Sequence, residues 1–168
     1  ILPNATKEDV NLIVKKMWGN YGRILSEYVF IKDFQEGNLE KYVNVIGSEY
    51  LNDIRKKNIP VVFVSGHFNN FELMAMVIQK EGVNLGAIYR PLNNFFLNKT
   101  MEKIRIKHIC KIQIKKGLSG IREILNLFKK NVSIALMIDQ RVTEGIKSNF
   151  FNREAFTTTI PAQLVKKF

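Results

Sequence analysis

Apolar residues at Val10, Ile13, Val14, Met17, Trp18, Tyr21, Leu25 and Tyr28 recur at the spacing of one helix face, which predicts a helix from Lys7 to Tyr28. Thr6 stands as its cap ahead of Glu8 and Asp9, and Gly19 and Gly22 are where it could break. A second amphipathic pattern, Leu39, Tyr42, Val43, Ile46, Tyr50 and Ile54, follows the Gly37-Asn38 turn and ends in the basic run Arg55-Lys56-Lys57. After Asn58 the period changes. Ile59 to Val64 is a β-branched and aromatic run of the kind expected for a strand buried on both faces. Next come a helix from about Asn70 to Lys80, a strand from Leu85 to Tyr89, a helix from about Asn94 to Lys107 and a short strand near Lys111 to Ile114. A helix through Leu118, Ile121, Leu125 and Phe128 and a strand from Val132 to Ile138 follow. The alternation predicts an α/β fold with a mainly parallel sheet flanked by helices. Residues 1–57 form an N-terminal helical preface and 58–168 the core of a single domain.

In open sheets of this kind, ligands gather at the carboxyl ends of strands. Three segments with reactive or charged side chains fall there: His67 to Glu72, Tyr89-Arg90-Pro91 and Asp139-Gln140-Arg141.

With 168 residues, 46% of them hydrophobic and 11% aromatic, the chain can bury a core, and disorder is excluded. Cys110 is alone, so no disulfide can form within the chain. One Cys and two His leave too few soft ligands for a structural zinc cage. No run approaches the roughly 20 apolar residues that cross a bilayer, so any membrane anchor is expected upstream of Ile1 or as a surface-lying element. Opening on Ile1 and closing on a helix just begun over Pro161 to Phe168, the chain is expected to be a piece of a longer protein cut at both ends. The net charge of +11, from 26 basic and 15 acidic residues, favours an anionic partner without naming it. The lysine pairs are scattered among predicted helix ends with no accompanying nucleic-acid motif, which argues against binding DNA or RNA.

His67 in a strand-to-helix turn can accept a hydroxyl proton near neutral pH, and a carboxylate on its other nitrogen would fix the tautomer. Glu72 is a candidate for that carboxylate. Five residues of continuous helix would set the two about 140° apart, so the pairing needs His67 outside the helix, which Gly66 allows. The competing reading makes His67 a neighbour of the helix cap and Glu72 a carboxylate that favours the helix dipole.

The block Val64-Ser65-Gly66-His67-Phe68-Asn69-Asn70-Phe71-Glu72 resembles the His-x4-Asp/Glu signature of lysophospholipid-type acyltransferases. More specifically, it is similar to the Gly-His-Phe-Gly-Asn-Trp-Glu form of the bacterial lipid A lauroyl/myristoyl acyltransferase family, with Asn69 and Phe71 in place of Gly and Trp. Tyr89-Arg90-Pro91, Arg105, Asp139-Gln140, Phe150-Phe151 and Pro161-Ala162 resemble later blocks of the same family, and Met17-Trp18-Gly19-Asn20-Tyr21-Gly22-Arg23 with Glu27 an earlier one. Asn152 departs from the Gly that commonly follows Phe-Phe.

The resemblance implies a glycerol-3-phosphate acyltransferase-like fold. It also implies transfer of an acyl group from acyl carrier protein to a hydroxyl of a lipid A precursor, usually one bearing Kdo sugars, at the cytoplasmic face of the bacterial inner membrane. It makes His67 the general base and Glu72 its orienting carboxylate, with substrate-binding roles for Arg90, Arg105, Asp139 and Asn70, and no cofactor beyond the thioester donor. A glycerophospholipid or another glycolipid is the alternative acceptor. From spacing alone, Arg105 reads as a solvated cation alongside Lys99, Lys103 and Lys107, Asp139 equally as a structural cap, Cys110 as core, and His108 as surface.

Overall fold

A computed structural model describes residues 3–140, 142 and 145–168. Helix α1 runs over Lys7–Glu27 and is opened by a capping box: the Thr6 hydroxyl accepts from the Asp9 N–H at 3.1 Å, and the Asp9 carboxylate accepts from the Thr6 N–H at 2.9 Å. The helix does not break at Gly19 or Gly22, where an added Cβ would meet only open space. A 3₁₀ turn over Tyr28–Phe30 leads into α2 (Ile31–Glu36), which the sequence pattern did not predict. The second amphipathic stretch divides into a 3₁₀ turn (Glu40–Tyr42) and α3 (Ser48–Lys57).

The core elements follow the predicted order: β1 (Val62–Ser65), α4 (Glu72–Lys80), β2 (Leu85–Tyr89), α5 (Phe95–Ile104), β3 (Ile112–Lys115), α6 (Leu118–Phe128) and β4 (Ser133–Met137). A π-helical turn over Arg105–Ile109 extends α5. A hairpin of β5 (Ile146–Phe150) and β6 (Arg153–Thr157) and helix α7 (Ile160–Lys167) complete the described chain.

β1 to β4 form one parallel sheet in the order β1-β4-β2-β3. Side chains alternate across it. Phe63, Leu85, Ala87 and Ala135 pack with Ile31, Leu51, Met76, Ile78 and Ile109 from the preface, α4 and the π turn. Val62, Ile88, Ile112, Ile114 and Ile134 pack with Ile124, Phe128 and Leu164 from α6 and α7. The sheet is thus the middle layer of three. The first strand was expected to be buried on both faces, but β1 is an edge strand: only β4 pairs with it among the described residues, and Val64 is 51% exposed. The central strands are β4 and β2.

Candidate active site

Parallel pairing brings the central chemistry together. In the β1–β4 register Ser65 faces Met137, and Ile138 N–H continues the ladder by donating to the Ser65 carbonyl at 3.0 Å. Two residues further along both chains the same register sets His67 beside Asp139. One Asp139 oxygen accepts from the His67 backbone N–H at 2.7 Å, and the other lies 2.7 Å from His67 Nδ1. Gly66 makes room for this: a Cβ there would lie 3.1 Å from the Asp139 carboxylate and 2.6 Å from the Phe68 ring. Partial desolvation pushes the Asp139 carboxyl up, but the backbone and ring N–H groups of His67 outweigh it and hold it below the usual carboxylate range. An ionised carboxylate only accepts, so Nδ1 carries the proton that faces Asp139, and Nε2 is the ring nitrogen left open. The ring is braced edge-on by Phe71 at 4.8 Å, and Gln140 Nε2 lies 3.5 Å from Nε2.

Glu72, expected on the other imidazole nitrogen, has different partners. The chain bends between the two, with Asn69 in the left-handed region at φ 44°, and α4 starts at Glu72 itself. Its carboxylate turns toward the C-terminal ends of α1 and α5. There Oε1 accepts from Arg105 Nε at 2.9 Å, from a second guanidinium nitrogen at 2.5 Å and from the Tyr28 hydroxyl. Burial, then the charge of Glu72, push the Tyr28 hydroxyl far above its ordinary value. Burial alone would lower the Arg105 pKa, but Glu72 outweighs it and raises it.

Arg105 is therefore not the solvated cation its lysine neighbours suggested. The side chains of Arg105 and Glu72 are 12% and 9% exposed, because this position of the helix extension faces inward while Lys103 and Lys107 face water. The guanidinium also lies over the Tyr89 ring at 5.8 Å. The Tyr89 hydroxyl donates to Glu102, which accepts from Asn98 at 3.0 Å, and Asn98 in turn accepts from the Leu92 N–H at 2.8 Å. The Tyr89-Arg90-Pro91-Leu92 turn is thereby tied to α5.

Asn70 donates to Glu27 at 2.7 Å, joining the end of α1 to the His67 loop, and its own carbonyl oxygen is buried without a hydrogen-bond partner among the described residues. Arg90 is exposed at the rim. Cys110 is fully buried with its thiol directed at the Leu85 carbonyl, a core residue as expected, and burial raises its pKa. His108 is half-buried rather than simply surface, with Nδ1 2.6 Å from Gln35. Arg141, part of the Asp-Gln-Arg segment, lies outside the described residues.

His67, Glu72, Tyr89, Arg90 and Arg105 line a pocket of about 480 Å³ at the carboxyl ends of β1, β4 and β2. His67, Gln140, Arg90 and Lys116 supply polar atoms, while Ala87, Leu136, Met137 and Ile138 are among the apolar lining residues. Among the described residues, no group of three or more His, Cys, Asp or Glu side chains converges to hold a metal ion.

Compared with known families, residues 1–168 match the model for bacterial lipid A biosynthesis acyltransferases. The chain belongs to that family. It is an acyltransferase, and its substrate is of the lipid A type. No significant match is found among curated proteins. No helix among the described residues of this acyltransferase is long and apolar enough to cross a membrane.

Sequence reasoning put His67, Arg90 and Asp139 at the carboxyl ends of the strands, read Arg105 from spacing as a solvated cation, and offered Glu72 as the carboxylate beside His67. It missed Tyr28, Glu27, Glu102 and Gln140 as members of the network. The partners of Tyr28, Glu27 and Gln140 lie 44, 43 and 73 residues away, so no local spacing announces them, while Glu102 lies 13 residues from Tyr89 and 4 from Asn98. Only Glu27 and Gln140 carried a signal, through the blocks in which they stand.

Proposed function

We propose that this chain transfers a fatty acyl group from the thioester of acyl carrier protein to a hydroxyl of a lipid A precursor, with His67 as general base and Asp139 as the carboxylate that orients it. The supporting observation is the 2.7 Å contact of Asp139 on Nδ1, which leaves Nε2 as the basic nitrogen lining the pocket. Nε2 takes the acceptor's hydroxyl proton as that oxygen attacks the thioester carbonyl carbon. The carbonyl π electrons move to oxygen, giving a tetrahedral oxyanion. Its collapse forms the ester and breaks the C–S bond, and the imidazolium returns the proton to the departing thiolate. Asp139 stabilises the imidazolium in between.

No protein hydroxyl or thiol bonds Nε2 among the described residues, and Cys110 is sealed in the core, which supports direct transfer over an acyl-enzyme. The amide of Gln140 is the candidate donor to the oxyanion. Arg90 and Lys116, at the rim, would hold the anionic parts of the substrates: the phosphate of the acceptor or that of the carrier's phosphopantetheine. The chain's positive charge would draw both the acidic carrier and the anionic cytoplasmic face of the inner membrane, where each basic residue near the surface contributes about 1 kcal/mol.

The test supplies labelled acyl carrier protein thioester and a Kdo-bearing tetra-acyl lipid A precursor in membranes, and reads product mass for wild type, His67→Ala, Asp139→Asn and Glu72→Gln. A penta-acyl product lost with the first two substitutions and retained by folded Glu72→Gln supports the assignment. Loss with Glu72→Gln and retention with Asp139→Asn would transfer the orienting role to Glu72. Acylation of a lysophospholipid in place of the precursor would move the chain to the glycerophospholipid alternative.

A further inference from the structure

The β5–β6 hairpin shares no residue with either core cluster, yet it carries some of the most exposed aromatic surface of the molecule. Its register pairs Ile146 with Thr157, Ser148 with Ala155 and Phe150 with Arg153 on one face. The other face holds Lys147 opposite Phe156 and Asn149 opposite Glu154. The first face exposes Ile146 at 59% and Phe150 at 64% beside the small Ser148 and Ala155, whereas the second is bridged by a Lys147–Glu154 ion pair at 3.0 Å. At the tip Phe151 is 82% exposed and packs edge-on against Phe150 at 4.6 Å.

The tip is also strained. Phe151 and Asn152 take φ of 48° and 58°, the paired left-handed conformation of a two-residue hairpin turn. Asn tolerates it, which shows why Asn152 can stand where the family commonly has Gly. A bulky aromatic does not, and the conformation is unfavourable for it. A large apolar ring thus sits, 82% exposed, in an unfavourable backbone conformation at the tip. A two-stranded ribbon is marginal alone in water, so this one calls for a partner surface.

The hairpin's position indicates the partner. Val142 and Thr158, which flank it, line the pocket, so the ribbon springs from the mouth and its tip stands roughly 15 Å beyond its base. The cations Arg90 and Lys116 lie on the same mouth, and Arg153 lies opposite Phe150. Apolar tip and basic surroundings match a lipid surface with anionic headgroups. We propose that the β5–β6 hairpin is a membrane wedge: Phe150 and Phe151 insert among the acyl chains of an anionic bilayer and hold the pocket mouth against it, so that a lipid acceptor enters without leaving the membrane. This deepens the proposed function by giving the acceptor's route, and rests on that reading only for the identity of the lipid that enters.

Trp18 is the only tryptophan, so Trp18→Phe combined with Phe151→Trp puts the sole indole at the tip. Purified chain is mixed with vesicles of phosphatidylethanolamine and phosphatidylglycerol, with and without brominated acyl chains, and binding is followed in parallel by flotation. The expected result is flotation, a blue shift and quenching by the brominated lipid, with Phe150→Ser/Phe151→Ser binding about tenfold or more weakly. That double variant should lose a similar factor in acylation of vesicle-embedded acceptor and less than about twofold on detergent-dispersed acceptor. Flotation without any change in tip emission overturns the proposal, as does failure to float. A dimer seen by sedimentation velocity that the double substitution dissolves would also overturn it, assigning the tip to a second copy of the chain. His67→Ala, placed in the tip-indole background, should leave quenching unchanged, so failure of the transfer chemistry and failure of the wedge are read separately.

Discussion

Two carboxylate pairs, one with an imidazole and one with a guanidinium, grow from the short span between His67 and Glu72, and they occupy different solvents. The His67 and Asp139 side chains are 23% and 34% exposed, whereas Arg105 and Glu72, which line the same pocket as His67, are 12% and 9% exposed. The first pair spends its hydrogen bonds on one nitrogen of the ring and leaves the other for a substrate. In the second, a single carboxylate oxygen of Glu72 accepts from two guanidinium nitrogens and the Tyr28 hydroxyl. Taking two charges out of water costs several kcal/mol per ion, which close hydrogen bonding offsets only when the partners are complete. The exposed pair leaves one ring nitrogen of His67 open. The buried pair is arranged to hold α1, α4 and the extension of α5 in one geometry.

The largest effect separating them should come from His67→Ala. Without the base, acyl transfer should fall by about a thousandfold, within the usual range for a general base, while the thermal midpoint stays close to wild type. A substantial loss of stability would mean that the imidazole, too, is structural.

Asp139→Asn sharpens the contrast. It keeps the shape and removes the acceptor that selects the Nδ1–H tautomer, so transfer should fall about a hundredfold with the fold intact. The same carboxylate has a signature at low pH. Its folded-state pKa is below its ordinary value of 3.8, so its contribution to stability is present above that pH and is lost as pH falls through the lowered value. Acid unfolding of the Asn variant should lack this component. Identical acid limbs for the two proteins would show that the Asp139–His67 contact is not formed in solution.

Much of the architecture was legible because period and composition switch together at Asn58, and β2 falls on Leu85–Tyr89 as predicted. What escaped depends on long-range contact. The run Ile59 to Val64 looks central because its composition is that of a central strand, yet strand order makes it an edge. The hairpin hides because Lys147, Asn149 and Glu154 break the apolar pattern of its strands, and its turn uses Phe-Asn where a Gly would have announced it. At the site, spacing offers Glu72 as partner to His67 because it is near in sequence. Asp139 lies 72 residues away and is supplied by parallel register. Arg105 looked solvated because its neighbours are lysines, although the helix turns this one position inward.

The buried pair should register in stability first. Glu72→Leu or Arg105→Met alone leaves an uncompensated charge inside and should cost about 3–5 kcal/mol by urea unfolding. The double substitution should recover most of that loss, since neither charge is then stranded. Activity should fall only as far as the folded fraction does. Additive losses in the double variant would mean that the two residues do not form a pair.

The smallest change isolates one hydroxyl. Tyr28→Phe removes the donor from Glu72 and should cost about 1–2 kcal/mol near neutral pH, the loss of a hydrogen bond to a charged acceptor. At high pH the two proteins should converge. Burial and the charge of Glu72 hold the folded Tyr28 pKa above its ordinary value of 10.0. Above pH 10 the unfolded chain therefore gives up this proton while the folded chain keeps it, and the wild-type advantage shrinks as pH rises. Tyr89, whose pKa is also raised, chiefly by burial and by its hydrogen bond to Glu102, remains in both proteins and cancels in the comparison. Urea midpoints of the two proteins measured from pH 8 to 11 test the assignment. A difference that stays constant through pH 10 would place Tyr28 against something other than the Glu72 carboxylate, and would loosen the joint between the helical preface and the catalytic core.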